Sequence, residues 1–174
     1  MNLKVISVFA AMLALAACSS TDESANSAAN TQQRTTASGP TPGTQEDLAA
    51  SVGDRVFFAF DRSDLNPEAR TTLDAQAGWL RRFPQARVTI LGHADERGTR
   101  EYNLALGDRR AARVRDYLVS QGIDRSRVET ISYGKECARA MGTGEANWAQ
   151  NRRAVTGVGL APNRGAGCPV APFL

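Results

Sequence analysis

A helix that carries an arginine in its apolar stripe sets the terms for this chain. From about Arg100 to Ser120 the sequence reads as a helix, with Gly122 placed to cap its end. With Arg110 at zero on an ideal helix, Asn103 falls near about 20°, Leu106 near about −40°, Val114 near about 40° and Tyr117 near about −20°. Arg109, Asp108, Arg115 and Asp116 lie round the far side, where water reaches them. A guanidinium among apolar side chains is costly unless it is paired and hydrogen-bonded. The candidate acid ahead of this helix is Asp95, just past the apolar run Arg87-Val-Thr-Ile-Leu-Gly92, which reads as a strand. Two readings stand on the residues alone. The pair is an internal salt bridge, or it binds a ligand that carries both charges. Asn103, on the Arg110 face, is placed to orient either group.

The rest of the fold is built around that unit. Arg55-Val-Phe-Phe-Ala-Phe60 is aromatic and β-branched, as buried strands are. Asn66-Pro67-Glu68 opens a helix as N-cap, first helical residue and first-turn acid. Ala69, Leu73, Ala77 and Leu80 fall on one side of it, and Pro84 stops it. Val128 to Tyr133 reads as a strand, Glu145 to Asn151 as a short helix and Arg153 to Leu160 as a last strand. The order β-α-β-α-β-(α)-β predicts an α+β, two-layer sandwich with helices on one face of a mixed four-stranded sheet. Right-handed crossovers make the first two strands parallel. Phe60-Asp61 and His93-Ala94-Asp95 then share one sheet edge.

The chain's N-terminal end points to export. Residues 1–17 carry Lys4 and then an apolar run, Val5 to Ala17, too short to span a bilayer as a lone helix. Leu15-Ala16-Ala17-Cys18 resembles the lipobox of bacterial lipoproteins. That resemblance implies cleavage before Cys18 and a covalent lipid on it, the only prosthetic group expected. Several acyl chains, at ~0.8 kcal/mol per buried CH₂, anchor stably where one is marginal. Ser19 after the cysteine implies the outer membrane over the inner. Residues 18–46, rich in Ser, Thr, Ala, Asn and Gln, form a tether with too little apolar surface to fold. It reaches about 90–100 Å when stretched and about 30 Å as a coil. The folded domain is expected over 47–160, with a Gly/Pro-rich tail over 161–174.

The 174 residues hold enough apolar side chains, 42%, for one core. The net charge of +3 does not mark a nucleic-acid binder, because the arginines alternate with acids in an exported chain. Besides Cys18 there are two cysteines, Cys137 and Cys168, and an oxidising compartment permits them to pair. A metal site on His93, the only histidine, could borrow Asp61 and Asp95, but a lone histidine near two acids is weak ground; none is expected. A pocket or loop hydrogen-bonding role suits it better. Arg152 reads by default as a solvated strand end.

The runs G-H-A-D-E-R-G-T-R-E-Y-N-L-A-L-G-D-R-R-A, V-R-D-Y-L, S-Y-G-K-E and W-A-Q-N-R-R-A-V resemble the OmpA-like peptidoglycan-binding domain over roughly residues 52 to 158. The resemblance implies that Asp95 and Arg110 hold meso-diaminopimelate of the wall stem peptide. It implies that Asn103, Phe60, Asp61 and Leu106 line the same pocket. It also implies that no enzymatic activity is involved, and that TolB and other Tol proteins are partners, as for lipidated members of the family. The tail and the Cys137, Cys168 pair depart from the family pattern. The rivals are a wall hydrolase using Asp61 and Asp95 as paired carboxylates, a stator-type wall anchor, which expects a retained transmembrane helix, and a structural lipoprotein that binds only proteins.

Overall fold

The computed structural model describes residues 39–161, 167 and 168. The signal segment, Cys18, most of the tether and most of the tail lie outside the described residues. The elements run α1 (Gln45–Ser51), β1 (Arg55–Phe57), α2 (Pro67–Arg82), β2 (Val88–His93), α3 (Arg100–Ser120), β3 (Val128–Gly134), α4 (Glu145–Asn151) and β4 (Arg153–Val158). A 3₁₀ turn, Arg125–Arg127, leads into β3. Among the described residues no helix is long and apolar enough to cross a membrane.

The sheet order is β1-β4-β2-β3. β4 pairs antiparallel with both β1 and β2, so β1 and β2 point the same way, while β2 and β3 pair parallel. The expected parallel relation of the first two strands therefore holds, with the last strand inserted between them. All six residues of β2 are buried, because the strand is central and both its faces are covered. Val88 and Ile90 join Leu73, Ala77, Leu80, Ala111, Val114 and Leu118 in the main core beneath α2 and α3. Leu91, Ile131 and Val155 form a smaller cluster on the other face.

α2 begins as its sequence dictates: the Asn66 side chain accepts from the Ala69 N–H at 2.8 Å, with Pro67 at the first helical position. Its Ala69, Leu73, Ala77 and Leu80 are all buried. α1 extends the domain two residues into the segment expected as tether. Thr44 caps it, Glu46 and Asp47 fill its first turn, and Leu48 is fully buried in the main core. Gln45 reaches the far end of β4, accepting from the Val158 N–H at 2.8 Å. β1 is shorter than expected, because the chain turns away after Phe57 toward the functional end. Cys137 and Cys168 form a disulfide across a separation of 31 residues.

Two glycines let α3 lie unusually close to the sheet. A Cβ on Gly92 would stand 2.0 Å from the Gly107 carbonyl oxygen, and one on Gly107 would stand 2.2 Å from Ser132 Oγ. That approach draws the next turn of α3, including Arg110, against the end of β2. Gly107→Ala is therefore expected to lower stability by about 2–3 kcal/mol, as overpacking does. Gly78→Ala, on α2 with nothing nearer than Arg81 Nη2 at 4.0 Å, is expected to raise it by about 0.5–1 kcal/mol through helix propensity. Urea denaturation of the two variants checks both signs.

Candidate functional site

The loops that leave β1 and β2 meet the first half of α3 in one cleft of ≈ 150 Å³. Phe60, Asp61, Asp95, Asn103, Leu106 and Arg110 line it, joined by Arg97, Gly98 and Tyr102. All six residues singled out for this pocket in the sequence thus line one cleft. The last three were not anticipated.

Arg110 is fully buried. Its Nε donates to the Arg62 carbonyl at 2.8 Å, Nη1 to the His93 carbonyl at 2.7 Å and Nη2 to the Ala59 carbonyl at 3.1 Å. The guanidinium centre lies 5.1 Å from the Phe58 ring. Of the five N–H groups of a guanidinium, these bonds leave one on each Nη. Burial pulls Arg110 down to about 10, against the opposing pull of Asp95, so it remains protonated at neutral pH. The internal Asp95–Arg110 salt bridge, one of the two readings of the sequence, is not what the structure builds: Arg110 is held by backbone carbonyls.

Asp95 is held by other arginines. Its Oδ1 accepts from the backbone N–H and Nε of Arg97 at 3.1 and 3.2 Å, and its Oδ2 from Arg97 Nη2 at 2.6 Å. Arg152 Nη1 stands 3.5 Å from Oδ2. Burial alone would raise the Asp95 carboxyl; the hydrogen bonds and charge of Arg97, with the contact from Arg152, outweigh it and hold it below 3.8. Arg152 corrects its default as a solvated strand end. It is buried, donates from Nε to the Phe58 carbonyl at 3.0 Å, and pairs with both Asp95 and Glu145. Its N-R-R context carried no sign of that burial, since the partner carboxylate lies 57 residues upstream.

The remaining residues shape the rim. Asn103 does not orient Asp95 or Arg110; its amide donates to the carbonyls of Arg97 at 2.7 Å and Thr99 at 3.1 Å and so fixes the loop between β2 and α3. Gly98 takes φ +91 in that loop, a conformation that favours glycine. Asp61 adopts φ 56, which Asp tolerates better than most residues, and accepts from the Tyr102 hydroxyl. Arg97 lies between two rings, with its Cζ 3.9 Å from the Phe60 centroid and 4.0 Å from that of Trp148 on α4. His93 serves the site only through its backbone carbonyl. Its ring is fully buried with Tyr133, 5.6 Å away, and burial and the Arg153 charge push the imidazole well below 6.5. Among the described residues no group of three or more His, Cys, Asp or Glu is placed to hold a metal.

The cleft holds a guanidinium with two N–H groups beyond its three carbonyl bonds and, beside it, a buried carboxylate covered by Arg97. The OmpA family profile matches residues 57–152, which contain every residue of the cleft. A peptidoglycan-associated lipoprotein of Rhizobium meliloti is 53% identical over 86% of this chain and 84% of its own. That of Pseudomonas aeruginosa is 51% identical over 67% and 69% respectively. The crystal structure of the peptidoglycan-associated lipoprotein from Burkholderia pseudomallei superposes with a TM-score of 0.59 at 43% identity, over 60% of this chain and 89% of that one. The chain belongs to the OmpA family and, within it, to the peptidoglycan-associated lipoproteins.

Asp95→Asn removes the charge that Arg97 and buried Arg152 share, and is expected to cost about 1–3 kcal/mol at pH 7. The folded carboxyl titrates below its ordinary 3.8. Its stabilisation is therefore complete above about pH 5 and is lost as pH falls through the lowered value. Urea midpoints of wild type and Asp95→Asn are thus expected to converge as pH falls through that lowered value.

Proposed function

We propose that this chain is an outer-membrane lipoprotein, anchored through lipid on Cys18, that binds peptidoglycan non-covalently in the cleft around Arg110 and Asp95. Residues 1–17 act as the signal, the segment after Cys18 as the tether that ends at α1, and the domain through residue 160 as the wall-binding unit. The observation that carries this reading is a buried, protonated guanidinium that backbone carbonyls fix in place while two of its N–H groups remain for a ligand.

The ligand class follows from the charges. The free end of a meso-diaminopimelate residue in a stem peptide bears a carboxylate and an ammonium. The carboxylate suits the two remaining N–H groups of Arg110, and the ammonium suits Asp95. Each charge-assisted hydrogen bond contributes about 1.5–3 kcal/mol. Membership among the peptidoglycan-associated lipoproteins supports the same ligand, and supports TolB and other Tol proteins as partners in envelope integrity and division. A hydrolase built on Asp61 and Asp95 fits poorly. Asp95 is ion-paired with two arginines and held below the ordinary carboxylate range, opposite to the need of a general acid.

The test is retention of the full chain in detergent on purified sacculi. Wild type is expected to stay bound to walls whose stem peptides carry diaminopimelate and to wash from walls that carry lysine instead, which lacks the second carboxylate. Arg110→Lys keeps a charge but not the fork and is expected to lose at least about 90% of retention, because planar bidentate recognition is lost. A folded Arg110→Lys, checked by thermal melting, that binds as wild type does would overturn the assignment.

A further inference from the structure

We propose that Arg97 is a built-in competitor for the Asp95 carboxylate, and that it makes the cleft reject ligands offering an amine alone; this rests on the ligand reading given above. Arg97 covers Asp95: the arginine side chain keeps 31% of its surface and the aspartate 5%. It meets the carboxylate with two side-chain nitrogens, Nε at 3.2 Å and Nη2 at 2.6 Å. Its guanidinium fills the slot between Phe60 and Trp148, 3.9 and 4.0 Å from the ring centres. A cation on an acid and between two aromatic faces is what an incoming ammonium would itself be.

The backbone around Arg97 is pinned, so the side chain is the part that can leave. Asn103 holds the Arg97 carbonyl at 2.7 Å, and Lys135 Nζ holds those of Glu96 and Gly98 at 3.1 and 2.6 Å. The far wall of the slot is fixed as well, because Trp148 Nε1 donates to Glu96 Oε1 at 2.8 Å. Rotation of Arg97 into solvent therefore leaves an intact aromatic slot over a carboxylate that keeps only the Arg97 backbone N–H and the longer 3.5 Å contact from Arg152.

The selectivity follows from what is exchanged. A lone amine that displaces Arg97 replaces one cation by another and gains little. A ligand end that also carries a carboxylate gains the two remaining N–H groups of Arg110, and only that second contact carries the exchange forward. Arg97 thus sets a threshold that a zwitterionic end passes and a lysine side chain does not.

The experiment titrates the full chain in detergent with the tripeptide L-Ala-γ-D-Glu-meso-diaminopimelate and with its lysine analogue, by calorimetry and by tryptophan emission. The other tryptophan, Trp79, is buried and bonded to Asp47 at 2.9 Å, so a change on binding reports Trp148. Wild type is expected to bind the diaminopimelate peptide with a change in emission and to bind the lysine peptide too weakly to measure. Arg97→Ala is expected to tighten both, by about tenfold, and to bring the lysine peptide into range. Arg97→Lys, which cannot stack as a plane, is expected to fall between. Unchanged or weaker binding of the diaminopimelate peptide by Arg97→Ala, with wild type still binding, would overturn the competitor role and leave the ligand site standing. Failure of every form, wild type included, to bind that peptide would overturn the ligand reading and the inference with it.

Discussion

Arg110 places a permanent charge at zero exposure and surrounds it with three carbonyls from separate segments, those of Ala59, Arg62 and His93. A buried cation of this kind is tolerated only where hydrogen bonds replace its hydration. The bonds bind the turn after β1 to the end of β2 and both to α3. The two loops that form the cleft are therefore positioned by the same side chain that is proposed to receive the ligand. Preorganisation of this sort lowers the ordering cost of binding. The close approach of Gly92 and Gly107 is its structural precondition, since a larger residue at either position would lift the helix from the sheet.

Around Asp95 the electrostatics run the other way. One buried carboxylate is shared by Arg97 and Arg152, and Arg110 feels its charge without touching it. Arg152 also reaches Glu145 at the start of α4, and Trp148 of that helix closes on Arg97. A short helix that would be marginal alone is thereby tied to the cleft through polar and cation–aromatic contacts. The site is a network in which the acid is already occupied, and it is on this ground that the ligand is proposed to enter by exchange and not by filling an open charge.

The parts of this arrangement that were legible in the sequence are those governed by local periodicity. Helical spacing put Arg110 among apolar neighbours, and the capping signals of Asn66 and Pro67 fell where α2 begins. Strand direction followed from crossover handedness. Strand order did not, because nothing local says that β4 inserts between β1 and β2. α1 escaped notice because seven residues carry too little periodicity, although Thr44, Glu46 and Asp47 already spelled its N-terminus. Within the cleft, the residues on α3 and at the strand ends could be assigned from spacing and family resemblance together. Arg97 could have been noticed two residues after Asp95 in the same loop. Arg152 and Trp148 could not, since only the folding of the α4 segment brings them to Asp95 and to Arg97 respectively. His93 was misjudged for a related reason: strand alternation turns its ring to the far face while its carbonyl stays at the site.

The central claim is that a ligand's carboxylate completes the hydrogen bonding of Arg110 while its ammonium reaches Asp95. A crystal structure of the protein with the diaminopimelate tripeptide tests it most directly. The account predicts carboxylate oxygens about 2.7–2.9 Å from the two Nη atoms, the three carbonyl bonds of Arg110 retained, and Arg97 turned away from Asp95. A peptide bound elsewhere, or bound in the cleft with no contact to Arg110, would contradict it.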